Sequence, residues 1–145
     1  MKKVTAAVVI INRRGDILGC HGTGKPHDIG FDFPKGIVEE GETCVEGAIR
    51  ELREETSLEL TAEDLFDAGE YPHNKEKNIR LFIYKTDEMP NVEELKCLSF
   101  FEYKGKQYPE VDYFEIITKD NRNKFNKVLQ NKFDIIDHFN NTLKD

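Results

Sequence analysis

The first strong pattern in the chain is an apolar, β-branched run, Val4–Ile11, which predicts a strand. Asn12-Arg13-Arg14-Gly15-Asp16 is turn chemistry, and Ile17–Cys20 reads as a short returning strand, so the two form an expected hairpin. His21–Gly30 holds three glycines and a proline and reads as a loop. Its Gly22-Thr23-Gly24-Lys25 lacks the spacing of a phosphate-binding P-loop, with no helix directly after it. Phe31–Gly36 reads as a short extended piece entering a turn. Next comes the best helix pattern. Thr43 and Glu46 make a T-x-x-E capping box, and Val45, Ala48, Ile49 and Leu52 form one apolar stripe, predicting a helix from about Thr43 to Thr56. Strands are predicted around Leu65–Tyr71, Ile79–Thr86, Leu95–Tyr103 and Val111–Thr118. A second helix is expected after Asp120 as N-cap, with Phe125, Val128, Leu129, Ile135, Ile136 and Phe139 as its apolar face and the stem of Lys132 beside them. Strands, helix, strands, helix favour the α/β class, a mixed sheet with helices in an α/β/α arrangement.

Composition bounds the possibilities. The 145 residues fit one domain, 1–145, large enough for a core without staples. No apolar run approaches the roughly 20 residues of a membrane span, and the short run Ala6–Ile11 does not resemble a signal peptide, so the expected location is cytoplasmic with no membrane partner. Cys20, Cys44 and Cys97 are odd in number and widely spaced, which argues for reduced, packed thiols. His21, His27, His73 and His138 show no metal-ligand spacing. A net charge of -7 disfavours general nucleic-acid binding, because phosphate contacts need a positive field. A small phosphorylated ligand remains compatible if divalent cations bridge like charges.

Glu51, Glu54 and Glu55 stand at i, i+3 and i+4 of the predicted helix and converge beside its apolar stripe. Like charges at that spacing repel. Two readings follow from the triplet itself: a solvated acidic face paired with Lys and Arg, or carboxylates gathered to hold hard divalent cations.

The flanks add a longer pattern: Gly36, five residues, Glu42, seven residues, Arg50-Glu51-Leu52-Arg53-Glu54-Glu55, then Thr56-Ser57-Leu58. Over Gly36–Leu58 this resembles the Nudix box, GX5EX7REUXEEXGU, with Leu52 and Leu58 as the bulky aliphatic residues. Ser57 departs from the family's Gly just past the helix end, where the backbone takes a left-handed turn that costs Ser about 1 kcal/mol. The resemblance implies the Nudix fold, an α/β/α sandwich with a loop–helix–loop catalytic motif. It also implies Mg²⁺ or Mn²⁺ held by Glu51, Glu54 and Glu55 and the carbonyl of Gly36. The implied reaction is hydrolysis of a pyrophosphate bond in a nucleoside diphosphate linked to another group, by attack of a metal-activated water. Arg50 and Glu42 are expected to brace the loop against the helix, a structural role that stands beside a catalytic one. The general base is then either a box glutamate or a carboxylate from a distant loop; Glu102, Glu110 and Asp112 are the distant candidates, with Glu110 preferred.

For the linked group, Phe-Pro-Lys-Gly before the box resembles hydrolases of dinucleoside polyphosphates and also decapping relatives. Lys35 and Arg80 are candidate phosphate contacts. Phe31, Tyr71 and Tyr108 are candidate rings for stacking on a base, Phe31 being equally a core residue and Phe33 more so. Lys25 and His27 are placed at the pocket mouth. A small nucleotide substrate follows, diadenosine tetraphosphate-like or ADP-ribose first, then an RNA 5′ end or an oxidised nucleoside triphosphate. A non-catalytic nucleotide sensor is the alternative, and both monomer and homodimer stay open.

Overall fold

An unbroken apolar run can sit still only where both faces are covered. In the computed structural model, which describes residues 2–144, the first strand, β1 (Lys3–Ile11), does so. Ala7, Val9 and Ile11 enter one core cluster, and Ala6, Val8 and Ile10 enter another on the opposite face. The strand is therefore the spine of a sheet with a layer on each side.

Among the described residues, seven strands make that sheet. β2 (Ile17–Gly22) follows β1 by a turn, but the pair meets only at Ile11 and Ile17. The expected hairpin opens at once because β2 pairs instead, antiparallel, with β9 (Val111–Ile117) and with β3 (Phe31–Asp32). β4 (Lys35–Ile37) crosses back to β1, setting Gly36 opposite Ala6. On the other side of β1 lie β6 (Lys77–Lys85), parallel to it, and β5 (Phe66–Pro72), antiparallel to β6. The sheet is thus mixed, as expected from the element order.

The helix α1 (Cys44–Thr56) covers one face with Ala48 and Leu52. The capping box is formed: the Glu46 N–H donates to Thr43 Oγ1 at 3.2 Å and the Thr43 N–H to Glu46 Oε1 at 2.8 Å. At the other end Ser57 has φ 67° and ψ 6°, the left-handed turn, and its N–H donates to the Arg53 carbonyl at 2.8 Å. Ser57→Gly is expected to stabilise the protein by about 1 kcal/mol, a rise in Tm of ~2–4 °C by thermal denaturation.

The second helix is shorter than the periodicity predicts. Residues 119–124 and 127–132 are 3-10 turns, and the true helix, α2 (Phe133–Thr142), begins at Phe133. The break lies at Phe125, an extended residue whose ring is buried, and at Asn126, whose N–H donates to the Phe31 carbonyl at 2.8 Å. A sheet-edge contact outcompetes helix propagation there. Arg122 ties this layer together: buried, it donates to both Asp137 oxygens at 2.7 and 2.8 Å and to the Gly15 carbonyl at 2.9 Å.

The expected strand Leu95–Tyr103 also contracts. Residues 95–99 instead satisfy carbonyls at the end of α1, with the Lys96 N–H on Thr56 O and the Leu98 N–H on Glu54 O. Only β7 (Phe100–Tyr103) is a strand, paired with β8 (Lys106–Pro109) in a separate hairpin turned by Lys104 and Gly105, both at positive φ. None of the three cysteines is bonded to another. No helix among the described residues is long and apolar enough to cross a membrane.

Candidate active site

The face of α1 beside its apolar stripe carries Glu51, Glu54 and Glu55 toward β4. Glu51 lies so close over Gly36 that a Cβ added there would fall 2.0 Å from the Glu51 carboxyl carbon. Only glycine leaves room for that carboxylate. Glu55, 8% exposed, accepts a hydrogen bond from the Lys35 backbone N–H at 3.1 Å. Consecutive β4 residues thus meet two of the three acids.

Arg50 joins the loop to the helix. Its guanidinium donates to Glu42 at 2.7 and 3.1 Å, to the Ile37 carbonyl at 3.1 Å, to Glu51 at 2.7 Å and to Glu54 at 3.2 Å. The Glu42 carboxyl is held below its ordinary range chiefly by this hydrogen bonding. Arg50 therefore braces the loop and also offsets repulsion between Glu51 and Glu54.

Glu55 has no such partner. Burial pushes its pKa up to about 8, helped by repulsion from Glu51 and Glu110 and opposed by the Lys35 N–H and the Lys35 charge. Burial also raises the Glu51 carboxyl, against the pull of Arg50 and with the push of Glu54 and Glu110. Burial alone would lower the Lys35 ammonium, but Asp32, 3.2 Å away, and the nearby glutamates hold it above its ordinary value. An acid cluster that resists full ionisation is one that a bound cation would stabilise.

Glu110 reaches the same groove from a distant part of the chain. Its N–H donates to Ser99 O at 3.0 Å and its carbonyl accepts from the Thr23 N–H at 3.2 Å, so its backbone is pinned on both sides. The groove, about 480 Å³, is lined by Lys35, Gly36, Glu39, Glu51, Glu54, Glu55 and Glu110. Among the described residues no group of three or more aspartate, glutamate, histidine or cysteine side chains is gathered closely enough to hold a metal ion by itself. The donors are instead an open array of hard oxygens around a glycine cradle. That array fits Mg²⁺ or Mn²⁺, which keep waters and substrate phosphates among their ligands.

The remaining candidates are distributed. Asp112 is turned away and engages His21, Oδ1 to Nδ1 at 2.6 Å, while His21 Nε2 faces the Pro26 carbonyl at 2.9 Å. Glu102 stands on the exposed hairpin. Phe31 is fully buried, packed edge-on to Tyr113 and His21, so it belongs to the core with Phe33 and cannot stack on a ligand here. Arg80 lies on β6, where Asp67 takes two of its N–H groups and Glu70 is 3.7 Å away. Its guanidinium is committed outside the groove, which removes the basis for a phosphate contact. Tyr71 donates to the Ala68 carbonyl and packs on the core. Tyr108 is on β8, two residues from Glu110.

Two features of the surface go beyond what the sequence pattern predicts. Lys35, Glu55 and Glu110 also line a narrow cavity of about 180 Å³ with Cys20, Asp32 and Asn126. Lys25, Gly30 and Asn126 line both this cavity and a wider cleft of about 560 Å³ that also holds Lys127 and Gln130. Asn126 gives no local signal of this role, because only the 3-10 break places it there. Phe101 and Tyr103 are the second feature, and the Lys104-Gly105 turn between alternating residues was the available clue.

A NUDIX domain model matches residues 1–117. No curated protein matches the sequence. Among solved structures, the MutT protein from Methanosarcina mazei is 19% identical with a TM-score of 0.62, over 96% of this chain and 95% of that one. The bifunctional NMN adenylyltransferase/ADP ribose pyrophosphatase from Francisella tularensis, complexed with AMP and Mn ion, is 20% identical with a TM-score of 0.55. That match covers 98% of this chain and 40% of the other. A MutT/nudix family protein from Enterococcus faecalis is 14% identical with a TM-score of 0.60, and 43% of its length is covered by 79% of this chain. At these identities the likenesses bear on fold.

Proposed function

The chain belongs to the Nudix family, and from that premise we propose that it hydrolyses a pyrophosphate bond in a nucleotide joined to a second group, with diadenosine tetraphosphate-like compounds and ADP-ribose as preferred substrates. The observation that carries this reading is that three neighbouring pockets share their lining residues, Lys35, Glu55 and Glu110 between the first two and Lys25, Gly30 and Asn126 between the second and third. Four carboxylates, Glu51, Glu54, Glu55 and Glu110, line one groove with Lys35, and Lys35 also lines the adjoining cavity that holds Lys25 and Asn126. A phosphate chain laid there has acids at one end and lysines along its length.

Glu51, Glu54, Glu55 and the Gly36 carbonyl are the groups that would hold Mg²⁺ or Mn²⁺. When bound, such an ion neutralises charge on phosphate oxygens and makes water more acidic. Lys35, kept charged by Asp32, contributes a fixed cation to the phosphates. Glu110 takes the proton from the attacking water, since it faces the groove while Asp112 is occupied by His21. Arg50 holds Glu51 and the box loop in register.

A panel of diadenosine polyphosphates, ADP-ribose, nucleoside triphosphates and a 5′-triphosphorylated RNA, incubated with Mg²⁺ or Mn²⁺, tests the reading. Turnover is expected to be fastest with a dinucleotide or ADP-ribose. No turnover of any member by folded protein contradicts it. Glu110→Gln is expected to lower kcat by roughly 10²–10⁴-fold, the range for a lost general base, with Tm unchanged; full activity would pass that role to another group.

A further inference from the structure

A two-stranded hairpin standing off the main sheet cannot bury its own side chains. β7 and β8 nevertheless set three aromatic rings on one of their faces. Phe101 and Tyr103 are two apart on β7, and Tyr108 is the cross-strand partner of Phe101. The Phe101 and Tyr108 rings lie 5.9 Å apart, tilted by 30°. Phe101 is 38% and Tyr103 57% exposed. Opposite them the loop after β2 brings Thr23 and Gly24, enclosing with the three rings a cleft of about 470 Å³, within the size range of small-molecule sites.

The cleft is joined to the carboxylate groove by covalent chain and by hydrogen bonds. Tyr108 and Glu110 are two residues apart, and Thr23 clamps the junction, its hydroxyl donating to the Pro109 carbonyl at 2.5 Å and its N–H to the Glu110 carbonyl. Two residues of extended chain span about 7 Å, a distance that a sugar bridges between a base and its phosphate. The Lys104 ammonium, 5.3 Å from the Tyr103 ring centre, brings positive charge to the rim of an otherwise acidic molecule. Flat apolar rings, a cation at the edge and an adjoining phosphate-binding groove together suit a nucleotide.

We propose that the hairpin face is a nucleobase-binding site: one base of the substrate stacks among Phe101, Tyr103 and Tyr108 while its phosphates lie along the groove at Glu110. This rests on the nucleotide-hydrolase reading above and adds the place of one base to it. The second group then extends the other way, past Lys35 toward Lys25 and Asn126.

The test uses the intact chain with Mn²⁺ and compares calorimetric binding of AMP with that of ribose 5-phosphate, which lacks the base. The unaltered protein is expected to bind AMP about tenfold more tightly or better, as base stacking contributes. Phe101→Ala/Tyr103→Ala is expected to erase that preference while ribose 5-phosphate binds as before, and Tyr103→Phe to keep it. A preference retained in the double variant overturns the proposal. So does loss of a dimer in that variant, by sedimentation, with the preference intact, because the face then belongs to a second copy. Should the double variant not fold, ring-proton NMR of the unaltered protein decides. Shifts at Phe101, Tyr103 and Tyr108 on adding AMP and not ribose 5-phosphate support the site, and their absence refutes it. Failure of the hydrolase reading has a different signature, a persistent base preference with no turnover of any nucleotide.

Discussion

Glu55→Gln is expected to do two opposite things: to cut kcat by roughly 10³-fold, within the range for removing a preorganised catalytic charge, and to stabilise the metal-free protein at alkaline pH. The second effect follows from linkage. The folded state holds the Glu55 proton up to about pH 8, whereas the unfolded chain releases it near 4.5. A raised pKa means that the native state binds the proton more tightly. That contribution is complete below about pH 4.5 and declines as pH rises, until above 8 the fold must accommodate a buried carboxylate beside Glu51 and Glu110. Glutamine carries no such charge and can still accept from the Lys35 N–H. At pH 9 without metal, Glu55→Gln should melt higher than the unaltered protein by ~5 °C or more, since each kcal/mol is worth about 2–4 °C in a chain of this size. At pH 4 the difference should vanish. Melting curves at the two pH values with a chelator check the sign, and equal melting of both proteins at pH 9 would remove the buried acid from the explanation.

Gly36→Ala carries the second large effect. Its Cβ would fall 2.0 Å from the Glu51 carboxyl carbon and 2.1 and 2.3 Å from the two oxygens. Backbone on one side and α1 on the other cannot retreat, so the Glu51 side chain must leave its place. Activity is expected to fall by roughly 10²-fold or more, in keeping with the cost of displacing a group from its working geometry. Stability should change little, because Glu51 is a long side chain that can turn out to water. Divalent metal affinity should fall in parallel with kcat. A variant with normal metal binding and normal turnover would show that the tight contact has no part in the site.

Much of this was readable locally. The capping box, the stripe of Val45, Ala48 and Leu52, and the acids Glu51, Glu54 and Glu55 all lie within one helix, so periodicity placed them on their faces before any tertiary contact was known. The left-handed cap at Ser57 was legible through the resemblance to the Nudix box, whose usual residue there is Gly. What could not be read depends on distant pairing. Glu110 reaches the groove because β9 docks on β2 and Thr23 clasps the Pro109–Glu110 segment. Alternation put Phe31 and Phe33 on one side of the chain, but it is distant residues that make both rings core, Tyr113 and His21 against Phe31 and Phe125 and Phe133 against Phe33. The break between two 3-10 turns ended the helix expected after Asp120. Arg80 reads as a candidate phosphate contact in the sequence, but β5 supplies Asp67 to it from the neighbouring strand.

Manganese titration followed by the EPR signal of the free ion bears most directly on why three glutamates crowd one face of α1. The unaltered protein is expected to deplete the free Mn²⁺ signal saturably, and Glu51→Gln/Glu54→Gln to leave nearly all of it in solution while remaining folded. Equal depletion by both proteins, or none by either in the presence of a nucleotide, would contradict a cation site at Glu51, Glu54 and Glu55.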